Sequence, residues 1–335
     1  MSYVELDHGT GGLLSRQLVE NVIAPAFGDR YLGAMEDSAV LSLPGTQIAM
    51  TTDSFVVDPL FFEGGDIGKL AVCGTVNDIA VSGAKPLYLT VGLILEEGLP
   101  VADLVRAMTS MAEAAREAGV YIVAGDTKVV HRGAADKIFI NTAGVGWLAP
   151  DALSLTNRRI RAGDSVVITS SIGAHSIHLL SLREGLGYEN RVTSDCAPLN
   201  HLISDIHDQF GERLHAARDL TRGGLGTALT ELADDIGLGI DVDLDSVPIQ
   251  SEVIMAADML GVDPIYLANE GSCLLFCDPD VSKAVVTKLR ELTYGGQAAE
   301  IGVVVDRRDK SVFARSVNGD RLIEPLVGAQ LPRLC

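Results

Sequence analysis

The amino-acid sequence predicts a globular α/β protein of two domains, and three observations support this fold class. First, 335 residues are enough for two domains of ~100–200 residues each. Second, apolar residues make up 47% and charged residues 21% of the chain, a composition typical of a large buried core. Third, short apolar segments rich in β-branched residues alternate with longer segments of helical period along both halves.

The N-terminal half, residues 1–150, alternates strands and helices from residue 46 onwards. Asp66 is the expected N-cap of a helix that ends at Gly83, and a long helix is predicted from Pro100 to Gly119. The segments between and after these helices are apolar and bounded by turn residues, so they predict strands at 46–57, 86–97, 120–126 and 136–149. This half is therefore predicted to be one domain.

The C-terminal half, residues 151–318, repeats the alternation after a polar stretch. Its predicted helices lie at 173–185, 198–211, 221–237, 251–261 and 280–293. Its predicted extended segments lie at 164–171, 237–245, 266–278, 298–306 and 310–316. Residues 319–335 contain two glycines, two prolines and no sustained period, so they predict a flexible tail with Cys335 at its end.

Charge and composition exclude several classes of protein. The formal net charge of −19 leaves no basic stripe that could bind the phosphates of a nucleic acid. No run of ~18 uncharged apolar residues predicts a membrane span, and the first residues lack the basic and apolar regions of a signal peptide. Five scattered cysteines fit a reduced, cytoplasmic protein.

Acidic residues stand where strands end or where helices disfavour them. They are Asp37, Asp53, Asp78, Asp126 and Asp219, with Asn77 beside the third. Each alone is typical of a cap or a turn, but together they predict oxygen ligands for Mg²⁺ and a phosphate-bearing ligand. Glycines at 125, 223, 224 and 226 would let backbone N–H groups approach phosphates, and cationic contacts are available from Lys69, Lys128 and Arg222.

Two motifs that suggest known loops are rejected, the first on its spacing and the second on its residue types. Residues 64–70 have one residue too few for a Walker A loop and lack the Ser or Thr that would reach Mg²⁺. Residues 241–252 match a calcium-binding loop in their acids but not in its glycine, so a strand with an acidic face is the better interpretation.

The remaining candidates are histidines, cysteines and one glutamate. His175 and His178 are expected at ordinary polar positions of a helix, and Cys273 and Cys277 in a core strand. Glu270 precedes a glycine at the start of that strand, which is a place suited to a general base.

Five segments, namely EDSAV, TTDSF, NDIAVSGAKP, GDTK and DLTRGGLG, occur in this order along the chain. With them the sequence resembles the ATP-binding superfamily of aminoimidazole ribonucleotide synthetase, selenophosphate synthetase and thiamine-monophosphate kinase. Within that superfamily it is most similar to the carbamoyl dehydratases of hydrogenase maturation. This resemblance runs from DHGTGG to the terminal PRLC, which is nearly the whole chain.

The resemblance implies a two-domain PurM-like fold, in which the β-rich N-terminal domain forms a barrel shared by a homodimer. It implies that ATP lies in a cleft of that domain, with the five aspartates holding Mg²⁺ and the triphosphate. Lys128 and Glu270 would face the reacting group. Further nucleotide contacts would come from Lys69, Asn77, Gly125, Thr127 and Arg222.

The resemblance also implies a reaction on the chain's own Cys335. The carbamoyltransferase HypF would place a carbamoyl group on this thiol, and ATP would drive its dehydration to a thiocyanate. The cyano group would then pass to iron held by the HypC–HypD complex, for a [NiFe]-hydrogenase. Because an amide oxygen leaves poorly, its phosphorylation before departure suits this chemistry, which depends on positioned cations. Glu270 is the expected base.

Two other functions stay open at this point. A small-molecule kinase or synthetase of the same superfamily would leave Cys335 without a role. A selenophosphate synthetase would also need a Cys–Lys pair near its N-terminus, and neither residue type precedes Lys69. A carrier that merely displays a thiol would leave the five aspartates and Glu270 idle.

Overall fold

The computed structural model describes residues 12–18, 20, 39–43, 46–149, 153–307, 309–317 and 319–328. In chain order, the elements of the N-terminal half are α1 (Leu13–Leu18), β1 (Ala39–Leu43), β2 (Thr46–Phe55), β3 (Phe61–Phe62), β4 (Gly65–Asp66), α2 (Ile67–Val81), β5 (Lys85–Glu96), α3 (Val101–Ala118), β6 (Tyr121–Val130) and β7 (Ile138–Leu148). Five of the strands form one sheet in the order β1-β2-β7-β5-β6.

The strands of this sheet are antiparallel except for β5 and β6, which are parallel neighbours joined through α3. Such a connection needs a crossover element, and the 18-residue helix α3 provides it. β6 is therefore an edge strand, and nearly every residue along it is exposed. The edge strand matters below, because it carries the GDTK segment.

Helix α2 covers one face of the N-terminal sheet and is buried over most of its surface. Its N-terminus is capped by Asp66, whose Oδ1 accepts hydrogen bonds from the backbone N–H groups of Gly68 and Lys69 at 2.7 and 3.0 Å. The helix can approach β7 closely because glycine alternates on the facing side of that strand. A Cβ added at Gly146 would lie 2.3 Å from Cγ2 of Ile79.

The elements of the C-terminal half are β8 (Ser165–Ile168), α4 (Ala174–Glu184), α5 (Asn200–Phe210), β9 (Leu214–Asp219), α6 (Gly224–Ile236), β10 (Gly239–Asp243), α7 (Ser251–Leu260), β11 (Cys273–Cys277), α8 (Ser282–Glu291), β12 (Ala299–Val305), β13 (Val312–Arg315) and β14 (Arg321–Ile323). The strands form a mixed sheet in the order β14-β13-β10-β12-β8-β11-β9. Asp219 ends β9 directly opposite Cys273, which begins β11. The segment containing Glu270 therefore enters the sheet beside Asp219.

The predicted α/β fold class is confirmed, and so are most predicted elements. α2 begins after Asp66, and α3 lies between Pro100 and a left-handed Gly119, as the capping signals predict. Within 241–252 the chain does form a strand, β10, whose Asp241 pairs with Arg307.

Two predictions on the C-terminal side need correction. The extended segment predicted at 266–278 is a strand only over Cys273–Cys277, and Pro264–Tyr266 is a short 3₁₀ helix. The tail predicted from residue 319 is ordered at its start, because Arg321–Ile323 pairs with β13 as the edge strand β14. The last seven residues, 329–335, lie outside the described residues.

Candidate functional site

Two of the predicted aspartates meet where β2 packs against α2. Thr51 on β2 donates a hydrogen bond from its hydroxyl to Oδ2 of Asp78 on α2, at 2.8 Å. Asp53 lies two residues further along β2, so its side chain points to the same, helix-covered face of the sheet. Its Oδ1 accepts a hydrogen bond from the backbone N–H of Ser54 at 2.7 Å. The two carboxylates therefore share one face of the N-terminal half.

Asp53 also lies within electrostatic reach of two residues from the C-terminal half, Asp219 and Arg222. Burial raises the pKa of Asp53, the positive charge of Arg222 opposes that rise, and the negative charge of Asp219 adds to it. Asp219 is buried at the end of β9, whereas Arg222 is exposed three residues later. Two carboxylates and a guanidinium from both halves thus form one cluster, which we call the junction cluster (Asp53, Asp219 and Arg222).

The N-terminus of α6 follows the junction cluster directly. Gly223 precedes the helix with φ of 77° and Gly224 begins it with φ of 57°, a backbone region that favours glycine. A Cβ added at Gly224 would lie 2.4 Å from the carbonyl oxygen of Leu267. Because α6 has 13 residues, its first turn offers backbone N–H groups and the positive end of a helix dipole beside Arg222.

The GDTK segment, Gly125–Lys128, lies on the edge strand β6 and is exposed. In the sheet register, Asp53 pairs with Thr142, Thr142 with Val91, and Val91 with Gly125. Asp53 and Asp126 are thus separated by three strand spacings, or about 14 Å of sheet. That distance is far larger than the coordination sphere of one Mg²⁺ ion, so within one chain Asp53 and Asp126 belong to two separate groups.

Asp126 and Lys128 form an ion pair on β6, with Nζ 3.0 Å from Oδ2. The hydrogen bond from Lys128 lowers the pKa of Asp126, with a further contribution from the backbone N–H of Thr127. Gly125 allows β6 to approach β5 closely, since an added Cβ would lie 2.8 Å from the carbonyl oxygen of Val91. The segment presents one carboxylate and one ammonium group at the open edge of the sheet.

Lys69 and Glu270 lie around a loop carboxylate, Asp195. Lys69 donates a hydrogen bond from Nζ to the carbonyl oxygen of Gly64 at 2.9 Å, and its charge lowers the pKa of Asp195. Burial is the larger effect and raises the pKa of Asp195 to about 6. Glu270 is 6% exposed. A lysine from α2 and a buried glutamate from the other half thus face one region of the molecule.

Asn77, predicted to contact the nucleotide, has another role in this structure. Its Nδ2 donates to the carbonyl oxygen of Ala197 at 3.1 Å, and its Oδ1 accepts from the backbone N–H of Leu199 at 2.7 Å. Both ends of the amide are thus bonded to a loop of the C-terminal half. Asn77 is 3% exposed and its amide joins the two halves, and its contact with a nucleotide stays a prediction.

The two histidines of α4 are fully buried, which corrects the expectation of ordinary polar positions. His175 is 2.8 Å from the hydroxyl of Ser194, and burial lowers its pKa to about 3. His178 lies 2.7 Å from the carbonyl oxygen of Val192, and its Nε2 accepts the backbone N–H of Glu63 at 3.0 Å. They are structural hydrogen-bonding residues between α4 and the loops around it.

The cysteines divide into two buried sets among the described residues. Cys273 and Cys277 are confirmed as core residues of β11. Cys73 on α2 and Cys196 from the C-terminal half, which the sequence did not single out, lie together. Their mutual hydrogen bond, with burial, raises the pKa of Cys196 well above its ordinary value. No local sequence pattern could have paired them, because they are distant in the chain.

A third buried group, away from the junction cluster, is an ion-pair network. His215 lies 2.7 Å from Asp164 through Nδ1 and 3.6 Å from Asp278 through Nε2. The guanidinium of Arg161 is 3.3 Å from the same Nε2, and Arg213 pairs with Asp278. Arg213 neutralises Asp278, and Asp164 is bonded to His215 and to the backbone N–H of Arg161, so the arrangement fits an ion-pair network better than a metal site.

Two predicted site residues, Asp37 and Cys335, lie outside the described residues. The segment that leads to Cys335 is held at its root, however. The backbone N–H of Leu13 donates to the carbonyl oxygen of Leu326 at 2.8 Å. A Cβ added at Gly12 would lie 2.4 Å from that oxygen, so the glycine lets the two segments touch. The root of the tail is thus fixed beside the N-terminal segment.

The fold and the arrangement of these groups define the class of protein. The chain belongs to the AIR synthase related family, whose N-terminal domain matches residues 35–148 and whose C-terminal domain matches residues 161–315. Within that family it belongs with the hydrogenase maturation proteins HypE. It is 44% identical to the carbamoyl dehydratase HypE of Rhizobium leguminosarum bv. viciae, over 99% of this chain and 95% of the relative.

Solved structures agree with this assignment. The chain superposes on HypE in a HypE–HypF complex with a TM-score of 0.86 and 44% identity, over 92% of this chain and 99% of that one. It superposes on a HypE in complex with ATP with a TM-score of 0.82 and 43% identity, over 99% of this chain and all of that one. In the part of the chain that the structure describes, none of the helices has the length and apolar character of a bilayer span.

Proposed function

We propose that this chain is an ATP-dependent carbamoyl dehydratase that converts an S-carboxamide on its own Cys335 to a thiocyanate, for the cyanide ligand of a [NiFe]-hydrogenase. The observation that carries this proposal is the junction cluster, where carboxylates and a guanidinium from both halves meet at the N-terminus of α6. A helix N-terminus beside Arg222 suits a triphosphate. The family assignment adds the reaction, because relatives at 44% identity are carbamoyl dehydratases.

The junction cluster also fits Mg²⁺. Burial and the negative charge of Asp219 both disfavour the ionised form of Asp53, and a divalent cation bound by the two carboxylates would relieve that cost. Asp78, held by Thr51 on the same face, is a third candidate ligand. When bound, Mg²⁺ neutralises phosphate charge. On the edge strand, Asp126 and Lys128 are proposed to contact the triphosphate, with the backbone of Gly125 and Thr127 beside them.

The dehydration is a balanced sequence of two steps. The carbamoyl oxygen attacks the γ-phosphorus of ATP, so that a new O–P bond forms and ADP leaves. The nitrogen then loses its protons as the C–O bond breaks, which leaves a nitrile on sulfur and releases phosphate. Glu270 is proposed to take one proton from the nitrogen, and the departing phosphate takes the other. Glu270 is a buried carboxylate whose backbone is bonded to Asp195, and the charge of Lys69 also acts on Asp195. Lys128 is proposed to stabilise charge on the transferred phosphoryl group.

Cys335 is proposed to reach this site at the end of a short tether. Nine residues follow Leu326, whose carbonyl oxygen is held by Leu13. Nine residues span at most about 30 Å when fully extended. A flexible tail that began at residue 319, as the sequence predicts, would be longer than these nine residues. Because β14 is ordered, the thiol can act only within a shorter radius.

The chain is proposed to act as a homodimer. β6 is a long edge strand with exposed apolar side chains, among them Tyr121, Val123 and Val129 at 72%, 57% and 70% exposure. Tyr88 and Trp147 extend this apolar area onto the uncovered face of the same sheet. Edge strands with exposed apolar residues favour pairing with a second chain, and a shared barrel would cover this one.

The proposed partners follow from the chemistry of the tail. A carbamoyl donor must load Cys335, and a relative has been solved in a HypE–HypF complex, so HypF is the proposed donor. The thiocyanate must then be transferred to iron, for which a HypC–HypD complex is the proposed acceptor. The proposed compartment is the cytoplasm, because the odd, scattered set of five cysteines fits a reducing environment.

Intact-protein mass spectrometry tests the proposed function. The full-length chain is carbamoylated, incubated with Mg²⁺ and ATP, and expected to lose one water at Cys335, while a Cys335→Ala variant takes up no carbamoyl group. Glu270→Gln should accept the carbamoyl group but dehydrate it slowly, by ~10²-fold or more, because a positioned base contributes about that much. If the wild-type chain hydrolyses ATP against a free metabolite while Cys335 keeps its mass, the proposed function is wrong.

A further inference from the structure

One loop segment, Ser194–Leu199, lies between the two halves of the molecule, and we call it the clasp. On the N-terminal side, the backbone N–H of Ser194 donates to the carbonyl oxygen of Glu63 at 3.1 Å. Asn77 holds the other end of the clasp through Ala197 and Leu199, as described above. The clasp is thus bonded to the N-terminal half at two places, Glu63 before α2 and Asn77 within α2.

On its other side the clasp is bonded to the segment that contains Glu270. The backbone N–H of Ala197 donates to the carbonyl oxygen of Glu270 at 3.2 Å. The carboxylate of Asp195 accepts the backbone N–H of Glu270 at Oδ1 and that of Gly271 at Oδ2, each at 3.1 Å. The side chain of Asp195 therefore binds the backbone N–H groups on both sides of the Cα atom of Glu270.

These two amides are distinct from those on either side of them. The backbone N–H of Asn269 donates to the carbonyl oxygen of Leu220, and that of Leu220 donates to the carbonyl oxygen of Ser272. Residues 269 and 272 are thus tied to the β9 side, whereas the N–H groups of Glu270 and Gly271 turn to Asp195. The orientation of Glu270 depends on an acceptor that the sheet does not provide.

The joint between the clasp and Glu270 is also closely packed. A Cβ added at Gly271 would lie 1.8 Å from the carbonyl oxygen of Asp195, so a side chain cannot be accommodated there without movement. Burial raises the pKa of Asp195, while the two N–H donors and Lys69 stabilise its carboxylate form. The close contact, the hydrogen bonds and the charges therefore all favour one arrangement of Asp195 against Glu270 and Gly271.

From these contacts we infer that Asp195 is a positioning residue for the Glu270 base. Its carboxylate fixes the position of the Glu270 backbone relative to Lys69 and α2. The clasp is bonded to both halves, so it fixes this position with respect to the N-terminal half. This inference rests on the proposed role of Glu270 in dehydration. Asp195 itself is bonded to backbone amides, so its proposed effect on the reaction acts through Glu270.

The test measures single-turnover loss of water from carbamoylated, full-length chain by intact mass, over a range of ATP concentrations. Asp195→Asn keeps the size of the side chain and one acceptor oxygen, but its amide NH₂ cannot accept the N–H of Gly271. We expect the maximal rate to fall about 10- to 100-fold, since a small displacement of a reacting group costs this much. The ATP concentration for half-maximal rate should stay within about twofold, because ground-state binding is unchanged.

A double variant separates positioning from general destabilisation. In a Glu270→Gln background, Asp195→Asn should cause no further slowing, because the group it positions is already absent. The matched control is Asp164→Asn, which removes a carboxylate that also accepts a backbone N–H, from Arg161, far from Glu270 in the ion-pair network. That control should leave the dehydration rate unchanged.

Three results would overturn the inference. They are a wild-type rate for Asp195→Asn, an equal slowing when Asp195→Asn is added to Glu270→Gln, and an equal slowing by Asp164→Asn. A wild-type rate for Glu270→Gln would instead show that the base was assigned wrongly, which is a failure of the proposed function. If Asp195→Asn does not fold, Asp195→Ser, which retains one acceptor on a smaller side chain, should show the same loss of rate, and a wild-type rate for it overturns the inference.

Discussion

Replacing Asn77 by alanine tests whether this residue joins the two halves or binds the nucleotide. In the structure both ends of its amide are bonded to the backbone of the clasp, at 3.1 Å to Ala197 and 2.7 Å to Leu199. The substitution leaves a buried carbonyl and a buried N–H without partners. Each orphaned group costs about 1–3 kcal/mol, so the free energy of unfolding should fall by about 2–6 kcal/mol.

Asn200→Ala is the matched control for this prediction. Asn200 is also a buried asparagine near the junction, but it makes one bond, from Nδ2 to the carbonyl oxygen of Ala118 at 2.8 Å. Its own Oδ1 has no partner, so the substitution orphans one group instead of two. The expected loss is about 1–3 kcal/mol, or roughly half of that for Asn77→Ala.

Urea denaturation and thermal melting, with and without Mg²⁺ and ATP, provide the measurement. Asn77→Ala should lower the stability of the free protein while keeping the stabilisation that saturating ATP adds, which is about 2.7 kcal/mol at one hundred times Kd. The reasoning is refuted if the variant is within about 0.5 kcal/mol of wild type without ATP. It is also refuted if the variant is stable but no longer responds to ATP, since Asn77 would then be a nucleotide contact.

Three further predictions concern other parts of the molecule. The pKa of His175 is about 3 in the folded state and 6.5 in the unfolded state, so the unfolded chain binds the proton first and stability falls as the pH drops below 6.5. In urea denaturation, wild type should lose about 2 kcal/mol more of its free energy of unfolding than His175→Gln between pH 8 and pH 5. Equal losses in the two proteins would contradict this prediction. Gly146→Ala should cost about 1–3 kcal/mol in the same assay, because the new Cβ meets Ile79, and no loss would show that α2 can shift. Val129→Lys should shift the sedimentation of the protein toward monomer, whereas Val317→Lys, at an 87% exposed site of the other half, should not.

The sequence predicted those features that depend on neighbouring residues. The N-cap at Asp66 and the left-handed glycine that ends α3 are local signals, because each involves residues within one turn of the helix. The alternation of apolar segments predicted the strands for the same reason. The motif segments also single out Asp53, Asp78 and Asp219, which lie in β2, in α2 and at the end of β9; their role as ligands stays a prediction.

What the sequence could not predict depends on contacts between distant residues. Asn77 and its partner Leu199 are 122 positions apart, so an asparagine inside a helix looked like a ligand rather than a link. Asp195 stands in a loop, where aspartate is common, and nothing nearby distinguishes it. The burial of His175 and His178 likewise follows from loops that fold over α4, not from the helix pattern.

The start of the tail shows a different limit. Residues 321–323 have no strong strand signal of their own, and they form β14 because β13 offers an open edge next to them. Three residues are too few for a periodic pattern to be recognised. Sheet edges recruit short segments through backbone hydrogen bonds, which every sequence can make.

The edge strand β6 links two properties that are usually separate. It carries Asp126 and Lys128, which are proposed to contact ATP, and on either side of them the apolar residues proposed to pair with a second chain. A ligand or a second chain that orders β6 therefore favours both ATP binding and self-association. By thermodynamic reciprocity, nucleotide should tighten self-association by the same factor by which self-association tightens nucleotide binding. The apparent affinity for ATP would then increase with the concentration of the protein.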